Sequence, residues 1–157
     1  MPTIHLTTVI HAPIERVFDL SRSITLHKRS MSHVREEAIK GRLNGLISEN
    51  ETVTWRARHL GKTREFTSRI TEMRSPEYFC DEMEQGDFSY LRHEHHFKVI
   101  DNGTVTIDIM EFGVPYGFLG RLVDRFYLRR YMSNLLELRN KTIKDYAETE
   151  KWRVILD

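Results

Sequence analysis

GFLGRLVDRFYLRRYMSNLLELRNKTIKDYAE, residues 117 to 148, decides the fold. It contains no proline, and its apolar residues recur at three-and-four spacing: Leu119, Leu122, Val123 and Phe126, then Leu135, Leu136 and Ile143. That period predicts a helix with an apolar stripe. Roughly 28 residues rising 1.5 Å each give a rod on the order of 40 Å, enough to cross a whole domain. Tyr127, Leu128, Tyr131 and Met132 widen the stripe. A stripe that wide needs a sheet to cover it.

The preceding segment supplies one. From about residue 35 to 112, period-two segments are broken by the turn signals Asn44-Gly45, Gly61-Lys62, Ser75-Pro76, Gly86-Asp87 and Asn102-Gly103. Antiparallel strands joined by hairpins produce that pattern. In ETVTWRARHLG, Val53, Trp55 and Ala57 share one face and Thr54, Arg56 and Arg58 the other, so the sheet is half covered and half wet. At the N-terminus, TIHLTTVI reads as a strand that ends at His11-Ala12-Pro13. A helix over about residues 13 to 20 follows, carrying Ile14, Val17 and Phe18, and then a second short helix capped by Ser21 or Ser23.

The composition narrows the class. A chain of 157 residues fits one domain, spanning 1–157. Its 24 Lys and Arg against 23 Asp and Glu leave a formal charge of +1, so no strong global field recruits nucleic acid or an acidic membrane. Cys80 alone cannot form an internal bridge, and MPTIHLTTVI lacks the basic start and apolar run of a secretion signal, which points to a cytoplasmic location. No apolar stretch approaches the roughly 20 residues that span a bilayer, and no transmembrane segment is expected.

Strand, two short helices, antiparallel meander and one long helix is the order of an α+β helix-grip fold. The sequence resembles the START/Bet v 1-like (SRPBCC) superfamily, and within it the bacterial polyketide cyclase/dehydrase-like branch. The resemblance is carried by HAPIERVFDL, SITLHKRSM, VTWRARHLG, FTSRITEM, YFCDEMEQGDF, HEHHF, NGTVTIDIMEFGVPYGFLGRLVD and LLELRNKTIKDYAE, which together run over nearly the whole chain. It implies a curved sheet wrapped around the long helix with a cavity between them. Across that superfamily the cavity serves lipids, sterols, polyketides, quinones or plant hormones. Its members include binding proteins, lipid carriers, aromatases or cyclases, and a ribosome-associated toxin.

LRHEHHF, residues 91 to 97, holds the chemistry. Alternation sends His93 and His95 toward the apolar side with Leu91, Phe97 and Val99, and sends Glu94 and His96 outward. A hairpin over Asn102-Gly103 would set His95 opposite Met110, Phe97 opposite Asp108 and His93 opposite Phe112. A slip of the loop would bring Asp108 directly opposite His95 on the same face. Asp81, between Phe79 and Met83, turns inward and then needs a partner such as Arg92 or a histidine. Two imidazoles roughly 6.8 Å apart along the strand could hold a metal with Asp81 or Asp108, but His-x-His alone does not specify one. No metal and no cofactor are therefore expected.

The expected activity is binding or transport of a small hydrophobic ligand, a lipid, polyketide or quinone-like molecule. Trp55, Phe66, Met110, Phe112, Leu122 and Phe126 would supply apolar contacts, and Asp81, His93, His95 and Asp108 would orient it. The alternative is a cyclase/dehydratase-like enzyme with His95 as general base and Asp108 as its orienter. A third reading is a protein or RNA interaction module. It would use Arg121, Arg125, Arg129 and Arg130, or an outward patch of Val105, Ile107 and Ile109 that a homodimer would cover. Nucleic acid is not the expected partner, since Asp124 interrupts the arginine stripe. Cys80 reads as an inert small side chain. Gly113-Val114-Pro115-Tyr116-Gly117 is expected beside the cavity mouth.

Overall fold

The computed structural model describes residues 2–114 and 123–157. Strand β1 (Thr3–Ile10) leads into α1 (Ile14–Ser21) and α2 (Ile24–Ser30), and a 3-10 turn (Ser32–Val34) follows. Then come β2 (Glu37–Gly41), β3 (Thr52–His59), β4 (Lys62–Arg74), β5 (Tyr78–Gln85), β6 (Tyr90–Ile100) and β7 (Gly103–Gly113). The chain closes with α3 (Val123–Glu148) and α4 (Trp152–Leu156). The strands form one antiparallel seven-stranded sheet in the order β1-β7-β6-β5-β4-β3-β2. Register shifts in β2 and β4 add bends where the sheet curls around α3. This is the helix-grip arrangement.

Local chemistry sets the register. Leu60 and Gly61 both take positive φ, 54° and 77°, as a tight two-residue hairpin turn requires, and that turn pairs Trp55 with Phe66. The β6–β7 turn lies one residue earlier than the sequence suggests. Asn102 takes the positive φ of 65°, Ile100 pairs with Gly103, and His95 consequently faces Asp108. Gly103 is needed for space, since a Cβ there would lie 2.4 Å from the carbonyl oxygen of Ile10. Ser23 caps α2, its hydroxyl accepting from the amide of Leu26 at 3.0 Å.

The core splits around the polar groups on β6. Phe18, Trp55, Ile70, Phe79 and Phe97 form one cluster. Ile4, Leu91, Met110, Phe112 and Leu136 form another. A third joins α1, α3 and the short α4, whose Trp152 lies under the Arg16 guanidinium at 4.3 Å. Helix α4 was not anticipated, because five residues are too few to carry a readable period.

Two apolar expectations are corrected. Phe126 is 73% exposed. At 3.6 residues per turn it stands roughly 200° around α3 from Leu128, which faces the sheet with Met132, Leu135 and Leu136. Phe112 is fully buried against Phe88, with ring centroids 5.4 Å apart, and belongs to solid core behind the cavity wall. Leu119, Leu122, Arg121 and Pro115-Tyr116-Gly117 lie outside the described residues, as does the side chain of Arg125; Arg129 and Arg130 are exposed. Val105, Ile107 and Ile109 are half-buried on the outer face of the sheet.

Candidate functional site

Between the sheet and α3 lies a cavity of about 350 Å³. Its lining is mainly apolar, with Trp55, Phe66, Phe79, Met110 and Leu136 among its walls, and it also exposes His93, His95, Asp81 and Arg139. The enclosed polar groups come from five elements. The β6 pleat turns His93 and His95 inward, β5 brings Asp81, β7 brings Asp108, β4 brings Ser68, and α3 brings Arg139 and Asn140.

Register pairs His93 with Asp81 and Met110, and His95 with Phe79 and Asp108. The hydrogen bonds run along the diagonals instead. His93 Nε2 meets Asp108 Oδ1 at 2.8 Å, and His95 Nε2 meets Asp81 Oδ2 at 2.7 Å. The imidazoles of His93 and His95 stack, with centroids 3.7 Å apart, and Phe79 stacks on the other face of the pair, 4.0 Å from His95. This arrangement corrects the expected pairing. Asp81 holds His95 and Asp108 holds His93, while Asp108 Oδ1 also lies 3.3 Å from His95 Nδ1.

Helix α3 closes the network from the opposite side. Asn140 Nδ2 donates to Asp108 Oδ2 at 2.7 Å and to Thr8 Oγ1 at 3.2 Å. Arg139 donates to Asn140 Oδ1 at 3.1 Å and to the Ser21 carbonyl at 2.9 Å, and its guanidinium lies 3.9 Å from Asp108. Ser68 donates to Asp81 Oδ1 at 3.3 Å. Burial pushes the Asp108 carboxyl up, but the hydrogen bonds from His93 and His95 more than offset it and hold it well below the usual carboxylate range. Asp81 is lowered in the same way, burial opposing and the His95 bond prevailing. His93 is lowered by burial and then by the field of His95. Two ionised carboxylates thus face one guanidinium.

Asp81, His93 and His95 also offer one ligand atom each within 4.8 Å of one another, a donor set suited to a divalent cation. The His95 and Asp81 atoms are already paired with each other, and Arg139 supplies positive charge nearby.

Arg139, Asn140 and Ser68 escaped the sequence reading. The signal for the first two was present: they interrupt the apolar stripe between Leu136 and Ile143. Ser68 sits between inward-facing Phe66 and Ile70 on one strand face. His27 and Glu36, which also line the cavity, were missed as well. His27 is three residues beyond the buried Ile24 on α2, whereas Glu36 stands in a run of charge, REE, that reads as surface.

The sequence matches, over residues 10–137, the family described as "Polyketide cyclase / dehydrase and lipid transport". No curated protein matches it. Among solved structures it is similar to a protein from Thermus thermophilus, at 19% identity and a TM-score of 0.77, covering 93% of this chain and 97% of that one. It is similar to a START superfamily protein from Mycobacterium smegmatis at 12% identity and a TM-score of 0.70, covering 93% and 97%. It also resembles the di-domain ARO/CYC StfQ from the steffimycin biosynthetic pathway, at 13% identity and a TM-score of 0.75, covering 94% of this chain and 51% of that one. At these identities the likeness is one of fold. No helix among the described residues is long and apolar enough to cross a membrane.

Proposed function

The chain belongs to the polyketide cyclase/dehydrase and lipid transport family, and within it we propose that the protein binds a small, mainly apolar molecule between its sheet and α3. The observation that carries this reading is the cavity of about 350 Å³, walled by apolar side chains yet opening onto a buried His–Asp–Arg network. Apolar surface supplies affinity at about 25 cal/mol per Å² removed from water. The few polar groups fix orientation. Trp55, Phe66 and Met110 provide the wall; His93, His95 and Asp81 meet the polar part of the ligand, with Asp108 behind them.

Extraction of the purified protein with organic solvent, followed by mass spectrometry, tests the proposal. The expected result is a stoichiometric apolar species that disappears from a Trp55→Arg variant of retained fold. An extract with no such species, joined to failure of lipid and quinone panels to bind, would remove it.

A second reading is favoured by one contact set. Asp81 holds His95 Nε2 at 2.7 Å and so orients the ring, while Nδ1, at 3.3 Å from Asp108, is the more loosely held nitrogen and would be the one to take a proton in a cyclisation or dehydration. In that case Asp81, more than Asp108, orients His95. Equal turnover of a polyketide-like substrate by wild type and His95→Ala would eliminate this reading.

A further inference from the structure

We infer that Asp81 is the anchor of the cavity, its carboxylate taking the ammonium group of the bound molecule, so that the protein selects an apolar amine over an apolar alcohol or acid. This inference deepens the binding reading above and rests on it.

Of the two carboxylates in the inner network, Asp81 lines the cavity with its side chain 19% exposed, whereas the Asp108 side chain is 4% exposed. Only part of the accepting capacity of Asp81 is used. Oδ2 faces His95 Nε2 at 2.7 Å, and Oδ1 takes the Ser68 hydroxyl at a long 3.3 Å. A carboxylate offers about four lone-pair sites, so capacity remains for a donor arriving through the cavity. Charge balance says which donor. Elsewhere on the wall Arg22 is matched by Asp19 at 2.9 Å and Arg64 by Asp87 at 2.7 Å, Glu36 meets His27 at 2.7 Å, and Glu65 is exposed. Inside, Asp81 and Asp108 face the one guanidinium of Arg139, which lies 3.9 Å from Asp108. Burial pushes both carboxyls up, but the histidine hydrogen bonds prevail and keep them ionised at neutral pH. His93, lowered by burial, is uncharged there. A negative charge is left over, and an enclosed charge is costly without a counter-ion. Asp81 is where a cation arriving through the cavity can answer it. The lining holds Phe66, Phe79, Leu91 and Met110, so the rest of the ligand is hydrocarbon, and aromatic faces attract an ammonium as well. The same leftover charge repels an acidic head group.

Isothermal titration of the full chain at neutral pH with 2-(2-naphthyl)ethylamine, 2-(2-naphthyl)ethanol and 2-naphthylacetate tests the inference. In wild type the amine should bind about tenfold tighter than the alcohol, the range of one hydrogen bond to a charged group, and the acetate more weakly than either. Asp81→Asn, which keeps the shape without the charge, should bring amine and alcohol to within about threefold of each other. Asp81→Ala serves the same comparison if Asp81→Asn does not fold. Glu94→Gln removes an equal charge from the outer face of β6 and should leave the ranking as it is in wild type. Equal affinity of amine and alcohol for wild type would overturn the inference alone, since a proton on His95 would then balance the network. A preference for the amine that survives the Asp81 variants, or that Glu94→Gln removes as fully as they do, would overturn it too, because the general field and not Asp81 would then set the ranking. Failure of all three compounds to bind wild type would overturn it together with the binding reading.

Discussion

On one side of β6, His93 and His95 share Asp81 and Asp108 in the interior; on the other, His96 and Arg92 share Glu94 near the surface. Both groups arise from adjacent residues of one heptapeptide, and both put imidazole within 2.8 Å of a carboxylate. They differ in what surrounds them. Asp108 is enclosed, its side chain 4% exposed, while Asp81 opens onto the cavity; Asn140 and Ser68 take up hydrogen-bonding capacity that water would otherwise fill, and the Arg139 guanidinium lies 3.9 Å from Asp108. The outer pair is partly wet, with side chains 33% and 23% exposed for His96 and Glu94. The same residue types therefore act as a coupled network on one face and as a screened surface pair on the other.

The sharpest way to break this comparison is to remove one carboxylate from each side. Asp108→Ala leaves His93 and Asn140 without their acceptor and Arg139 without nearby negative charge, and should cost about 3–5 kcal/mol. Glu94→Ala should cost about 1 kcal/mol or less. Urea unfolding of both variants against wild type measures the difference. Equal losses would mean that the interior network is as well solvated as the surface pair.

The imidazoles give the next contrast. His95→Leu removes the donor to Asp81 and the ring stacked on Phe79, and should destabilise by about 1–3 kcal/mol. His96→Leu, on the wet face, should stay within about 0.5 kcal/mol. The same urea experiment reads both. A His96→Leu loss as large as that of His95→Leu would show that burial is not what separates the faces.

How far this division was legible in the sequence follows from parity. Alternation separates His93 and His95 from Glu94 and His96 whatever the register, because a strand has only two faces. Register decides which atoms bond, and register hung on which residue of Asp101-Asn102-Gly103 would take the positive φ. Asn102 took it, a one-residue difference that moved the facing partner of His95 from Met110 to Asp108. The helix stripe was readable, but its Phe126 was assigned to the wrong side, since an apolar residue at the edge of a wide stripe has no unique facing. Arg139 and Asn140 were hidden for a different reason. A polar residue on a helix is ordinarily solvated, and only a closed sheet opposite makes it interior. The Glu36 carboxylate depends on chain direction after a left-handed residue, which no period reports.

The smallest effect, and the most selective, is in acid response. His93 is held below the ordinary histidine pKa of about 6.5, so below that pH the unfolded chain binds more protons at this position than the folded one. Stability contributed by neutral His93 is present above about pH 6.5 and is lost as pH falls toward its folded value. Asp81 and Asp108, lowered as well, lose theirs only as pH falls from about 4 through their folded values. Glu94 on the outer face is lowered chiefly by its His96 bond and responds in that lower window. Between about pH 6.5 and 5, then, the inner face should respond while the outer carboxylate does not. His59 is also lowered, by burial, and adds a share of the same slope. The urea midpoint of wild type should fall from about pH 7 to pH 5, and His93→Gln should flatten that fall in part, leaving the His59 share. Glu94→Gln should leave the slope in this window intact and change only the drop nearer about pH 4. If His93→Gln left the upper window untouched, the inner imidazole would be taking up its proton in the folded state as readily as in water, and the two faces of β6 would be electrostatically alike.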